Sequence, residues 1–141
     1  MNIYFACSIT GGRDFEPIYR AITTALLADG HEIPTAHLAE ASVKLREGLV
    51  NPREVYERDT AWIRACDVLV AEVSTPSHGV GYEIAYALSL KKPVLCVFRE
   101  GQPLSKMLSG NSHPSISVIS YRDTEDALEL IRSFLQRLIE L

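Results

Sequence analysis

The chain has few cysteines, three in 141 residues. Cys7, Cys66 and Cys96 form no Cys-x-x-Cys pair, and each lies in or beside an apolar run. That is the setting of a small buried hydrophobe in a reducing compartment. No two histidines have metal-ligand spacing, so no metal is expected. No apolar run approaches the roughly 18 residues of a membrane span. The first residues read as a strand without the basic region of a secretory signal, so a cytoplasmic protein is expected. Positive charge is also in short supply. A formal charge of -4 and a pI near 5.5 argue against holding a nucleic-acid polymer by bulk electrostatics. A small anion remains open as a ligand, because a few oriented backbone amides can bind a phosphate without net positive charge. Repeats, low-complexity stretches and linkers are missing too, so residues 1–141 read as a single domain.

What the sequence does contain is an alternation of apolar runs and amphipathic stretches. Met1 to Cys7 is a short buried-strand pattern that stops at Ser8 and the pair Gly11-Gly12. Asp14 to Asp29 carries a helical stripe through Ile18, Ile22 and Leu26, closed by Gly30. His31 to Pro34 is a brief strand candidate, and Ala36 to Val50 has only a weak pattern. Asn51-Pro52 reads as an N-cap followed by proline at the first helical position, opening a helix to about Ala65. Asp67 to Val73, Pro93 to Phe98 and Ile116 to Ser120 are further strands. Helices are expected from Gly81 to Leu90, around Leu104 to Leu108, and from Thr124 to Leu141. Strands apolar on both faces and separated by helices predict an α/β fold. The expected form is a doubly wound five-stranded parallel sheet, a flavodoxin-like or Rossmann-like three-layer sandwich. Ligands in such sheets sit beyond the carboxyl ends of the strands, which here means just after Cys7, Val73 and Phe98.

Two loops fall in that zone. Ser8-Ile9-Thr10-Gly11-Gly12-Arg13 joins the first strand to the first helix; small residues there let backbone approach a ligand, or simply make a turn. Ser77-His78-Gly79-Val80-Gly81-Tyr82-Glu83 holds the matching place after Val73. Neither has the spacing of a dinucleotide or P-loop motif. Glu83, about one turn into an otherwise apolar helix, is either a partner of the helix dipole or a catalytic group. Asp59 lies on or near the buried stripe of its helix, an unusual place for an acid. Tyr4, inside the first strand, and Tyr19 read equally well as plain core, and His37 as an ordinary loop histidine.

Taken together, these segments resemble the nucleoside 2-deoxyribosyltransferase superfamily. Within it they look most like the 2'-deoxynucleoside 5'-phosphate N-hydrolases. The stretches that carry the resemblance are IYFACSITGGR (Ile3 to Arg13), TAHL (Thr35 to Leu38), ERDTAWIRACDVLVAEVSTPSHGVGYEIAYAL (Glu57 to Leu88), KPVLCVFR (Lys92 to Arg99) and LSKML (Leu104 to Leu108). The resemblance implies a cofactor-free glycosidase with Glu83 as covalent nucleophile, Tyr4 orienting it and Asp59 serving the departing base. It implies substrate contacts from Cys7, Ser8, Ile9, Thr10, Gly11, Gly12, Arg13, Tyr19, His37, Ser77 and Gly79. It also implies a homodimer in which Ser105, with Lys106 and Met107, completes the neighbouring site. Relatives read Gly-Ser-Ile-Arg-Gly-Gly-Arg after the first strand. Here Cys7 and Thr10 replace the first glycine and first arginine, adding bulk near the sugar and removing a charge from the phosphate side.

The expected substrate is a 2'-deoxyribonucleoside 5'-monophosphate, split into free base and deoxyribose 5-phosphate. A deoxyribosyltransferase that hands the same covalent sugar to another base is the alternative. A nucleotide-binding module without catalysis is a second one, although a pure binder needs no nucleophile.

Overall fold

The computed structural model describes residues Met1–Leu141. Four parallel strands form one sheet in the order β1 (Ile3–Ala6), β2 (Val68–Glu72), β3 (Val94–Arg99) and β4 (Ile116–Tyr121). Tyr4 pairs with Leu69, Leu69 with Val94, and Val94 with Ile116, which fixes the register across the sheet. Six helices cover it: α1 (Glu16–Ala28), α2 (Val43–Gly48), α3 (Pro52–Ala65), α4 (His78–Ser89), α5 (Lys106–Ser109) and α6 (Thr124–Ile139).

The two faces follow from the two-residue period of a strand. Ile3, Phe5, Val68, Val70, Leu95 and Val97 point to one side, where Ile22 and Leu26 of α1 and Ile131 and Leu135 of α6 cover them. Tyr4, Ala6, Leu69, Ala71, Val94 and Cys96 point to the other, against Ile63 of α3 and Ile84, Ala87 and Leu88 of α4. Both faces are dry, so β1 and β2 are buried along their whole length. This is the three-layer sandwich the alternation predicts. No helix is long and apolar enough to cross a membrane.

The sheet has four strands where five were expected. The segment at His31–Pro34 contributes only an isolated parallel bridge between Asn2 and Glu32. Pro34 has no N–H to continue a ladder. One step further on, the side chain of Thr35 takes the place of a strand carbonyl, its Oγ1 accepting from Phe5 N at 3.0 Å. The bridge nonetheless marks the topology. The chain leaves β1 toward one edge and returns to form β2 on the other, so the switch point lies above the ends of β1 and β2.

Three local outcomes bear on the site. Asn51 caps α3 as expected, its side chain accepting from Arg53 N at 2.8 Å with Pro52 next. Helix α4 begins at His78, three residues before the expected Gly81, because Ser77 caps it by accepting from Val80 N. The weakly patterned stretch folds as a 3-10 turn over Ala36–Ala39 followed by α2, whose buried anchor is Val43.

Candidate active site

Tyr4, Asp59 and Glu83 come from β1, α3 and α4 and meet on the face of the sheet those helices cover. The earlier start of α4 puts Glu83 in the second turn, past the reach of the helix-end dipole. Burial pushes its carboxyl up to about 8, the negative charge of Asp59 adds to this, and Tyr4 and Arg58 oppose it. Asp59 is also raised, chiefly by burial, with its neighbour Arg58 pulling the other way. Tyr4 is wholly buried and its phenol is driven far above the ordinary value, first by burial and then by the charges of Glu83 and Asp59. It is therefore a permanent O–H donor. Tyr4 and Glu83 are close enough to shift each other's proton affinity, yet the hydroxyl closes no hydrogen bond of regular geometry.

Two residues absent from the sequence reading complete this cluster. Arg58 Nε donates to Asp59 Oδ1 at 2.8 Å, and its terminal nitrogens donate to Glu47 at 2.6 and 3.2 Å. Glu47 Oε1 also lies 3.3 Å from His37 Nε2. The guanidinium lies over the Trp62 ring at 4.9 Å, and His37 meets that ring edge-on at 6.0 Å. Arg58 had a signal, its adjacency to Asp59. Glu47 had none, since it sits in the stretch without apolar periodicity.

The two loops close over the carboxyl ends of β1 and β2. A Cβ at Gly11 would fall 2.3 Å from the Pro76 carbonyl oxygen and 3.0 Å from Ser8 Oγ, so only glycine allows the approach. Gly12 holds a φ of +142°, where side chains are strained. Ser8 is fully buried with an unpartnered Oγ. Thr10 and Gly79 are exposed, while Ile9 packs partly against the core. Cys7 is buried, its thiol donating weakly to Leu38 O at 3.6 Å and pushed up by burial to about 12.

Arg13 and Tyr19 point inward. Arg13 donates to the carbonyls of Ser8 (3.0 Å), Leu38 (3.0 Å) and Glu40 (2.9 Å) and pairs with Glu16 at 3.3 Å. It ties the first loop to the 3-10 turn. Tyr19 is fully buried beneath that guanidinium, its ring edge-on to Phe5 at 6.4 Å.

A buried acid also escaped the sequence reading. Glu72 ends β2 with no exposure; it accepts from the Ser74 hydroxyl, from Ser74 N at 3.3 Å and from the Tyr121 hydroxyl at 3.1 Å. Ser74 Oγ in turn accepts from Arg99 N at 2.8 Å. Burial lifts the carboxyl to about 6 against these hydrogen bonds. It braces the turn that leads to Ser77.

Ser105, Lys106 and Met107 lie at the start of the short helix α5. Ser105 caps the short α5, and Met107 is 82% exposed. With Ser77, Ile84 and Leu104, Ser105 and Met107 line an apolar groove of about 380 Å³ between α4 and α5. Tyr4, Asp59 and Glu83 are not among its walls. The groove is apolar, and the two acids whose protons burial holds more tightly, with the unpartnered hydroxyls of Tyr4 and Ser8, lie outside it.

A parallel sheet that gathers two perturbed carboxylates and a neutral phenol on one face has the groups for acid–base chemistry, and the class is an α/β enzyme acting on a small ligand. The model of the nucleoside 2-deoxyribosyltransferase family matches residues 3–128, and the chain belongs to that family. It is 41% identical over 138 residues to the 5-hydroxymethyl-dUMP N-hydrolase of Mus musculus, covering 94% of this chain and 79% of that one. A Methanococcoides burtonii protein, provisionally named 2'-deoxynucleoside 5'-phosphate N-hydrolase 1, is 39% identical over 118 residues, 84% of this chain and 97% of its own. Among solved structures, the CMP N-glycosidase of Clostridium botulinum has the same fold, with a TM-score of 0.70, 17% identity and coverage of 94% and 98%.

Proposed function

We propose that the protein hydrolyses the N-glycosidic bond of 2'-deoxyribonucleoside 5'-monophosphates, releasing free base and deoxyribose 5-phosphate. The observation that carries this reading is the meeting of Tyr4, Asp59 and Glu83 on one face, with both carboxyls shifted upward. The names of the relatives, N-hydrolases of nucleotides, agree with it.

The ionised Glu83 carboxylate attacks the anomeric carbon, forming an ester as the carbon–nitrogen bond breaks. Asp59 gives its proton to the departing base. Water then attacks the same carbon and loses its proton to Asp59. The ester opens, and Glu83 returns as carboxylate. Tyr4 donates its O–H to whichever Glu83 oxygen carries charge. His37, held by Glu47, sits at the base end.

The 5'-phosphate lies among Ser8, the Gly11-Gly12 turn, Ser77 and Gly79, where the unpartnered Ser8 Oγ and the start of α4 offer donors. Cys7, Ile9 and Thr10 shape the adjoining wall. Arg13 and Tyr19 support that wall from behind. Ser105, Lys106 and Met107 serve the site of a second copy, in a homodimer whose contact runs along the α4–α5 groove. The three buried free cysteines suit a cytoplasmic setting.

Free base released from deoxynucleoside monophosphates, and abolished in Glu83→Ala with the dimer intact, is the expected result. Full activity in that variant would sink the mechanism. The family description favours one second reading, transfer of the sugar to another base. Adding a different free base separates the two, because only a transferase makes the exchanged nucleotide.

A further inference from the structure

Asp59 receives less of Arg58 than a carboxylate beside an arginine normally does. A guanidinium usually meets a carboxylate through a two-nitrogen fork. Here Asp59 holds Nε alone, at 2.8 Å, while both terminal nitrogens go to the two oxygens of Glu47, at 2.6 and 3.2 Å. The plane of the guanidinium is fixed by Trp62 beneath it, 4.9 Å from the ring centroid. Glu47 comes from α2, and His37 Nε2 lies 3.3 Å from its Oε1, the oxygen that takes the shorter Arg58 bond.

We propose that Glu47 is a positioning residue for the reaction: by taking the terminal nitrogens of Arg58, it leaves Asp59 able to hold the proton that the departing base needs. The inference rests on the reading of Asp59 as proton donor given above. The groups that act most strongly on Asp59 come from its own helix and four other elements. Arg58 lies beside it on α3, Glu47 and His37 face it from α2 and the 3-10 turn, and Tyr4 and Glu83 face it from β1 and α4.

The consequence is a matter of where one proton sits. Two neighbouring acids titrate as a pair, and the working form keeps the proton on Asp59 with Glu83 bare. An undivided Arg58 would favour the opposite placement, with Asp59 ionised and the proton on Glu83. That form binds substrate but can neither attack nor donate. Glu47 draws the guanidinium away and shifts the pair toward the working form. Since Glu47 is carried by α2, the working form is also tied to α2 resting on the site.

Glu47→Gln is the test, with two readouts. In the first, carboxyl-carbon NMR follows the titration of Asp59 in wild type and variant, and the variant's midpoint should fall by about one pH unit. In the second, base release is followed against pH. On the neutral plateau the variant should be about tenfold slower, the rate equivalent of that shift. Below the acid limb it should match wild type, because there both acids are protonated at rest and Glu83 alone must ionise. Repulsion between Glu47 and Asp59 through space acts in the same direction, so a double variant isolates the guanidinium. In an Arg58→Gln background, Glu47→Gln should change the plateau by less than about twofold. An unmoved Asp59 midpoint, or an equal loss of rate at every pH, would overturn the proposal. A wild-type protein that releases no base at any pH would instead sink the hydrolase reading, while the NMR titration would still decide the role of Glu47.

Discussion

Gly11 and the Pro76 carbonyl are in such close approach that a single methyl group cannot pass between them: an added Cβ would lie 2.3 Å from that oxygen. The contact joins the loop after β1 to the loop after β2, which leads into α4 and Glu83. Gly11→Ala should therefore separate them. The expected cost is about 1–3 kcal/mol of stability, read by denaturant melts, together with a rise in KM larger than the fall in kcat. A variant as stable and as tight-binding as wild type would show that the loops close independently.

Glu83→Gln tests the environment as well as the chemistry. The folded-state pKa of about 8 lies above the ordinary 4.5, so the carboxylate is progressively destabilising as pH rises through that window. A glutamine escapes this. Thermal melts should coincide at about pH 4 and diverge in favour of the variant up to about pH 9. Base release should fall by roughly a thousandfold or more. Equal melting temperatures at all pH values would mean that Glu83 is solvated.

Tyr121→Phe removes the phenol that donates to the buried Glu72 carboxyl at 3.1 Å. A hydrogen bond to the ionised form is stronger than one to the acid. The variant should lose about 1–2 kcal/mol above pH 6, where Glu72 is ionised, and less below it. Chemical denaturation at two pH values reads the difference. A loss that does not change with pH would mean that the ring's packing, not its hydroxyl, is what matters.

Arg13→Lys separates a strut from an anion-binding group. The guanidinium reaches three carbonyls and Glu16 from one fixed plane, which an ammonium cannot copy. The expected result is a lower melting temperature, by the equivalent of about 1–3 kcal/mol. The preference for nucleotide over nucleoside should remain. Loss of that preference with unchanged stability would reassign Arg13 to the phosphate.

The helix and strand pattern was legible because each element carries its own period. Asn51-Pro52 marked the start of α3, and the apolar run at Asp67 to Val73 marked β2. The fifth strand does not form because alternation is a local signal, and pairing is not. At Pro34 and Thr35 the ladder ends for want of one N–H and because a side chain takes its place. Helix α4 starts earlier than its apolar pattern because Ser77 caps it from a stretch that reads as loop.

The sequence by itself determined the layers, the two loops at the strand ends, and the presence of Asp59 and Glu83 as acids in apolar surroundings, while Tyr4 read as plain core. Only the tertiary structure decided what surrounds them. Glu47 lies on α2 and Arg58 on α3, and no periodicity links the two; only the fold brings their side chains within hydrogen-bond distance. Burial does the rest. Glu83 was as compatible with a solvated helix residue as with a nucleophile until the packing of β1, α3 and α4 removed water from its carboxyl and raised its affinity for a proton.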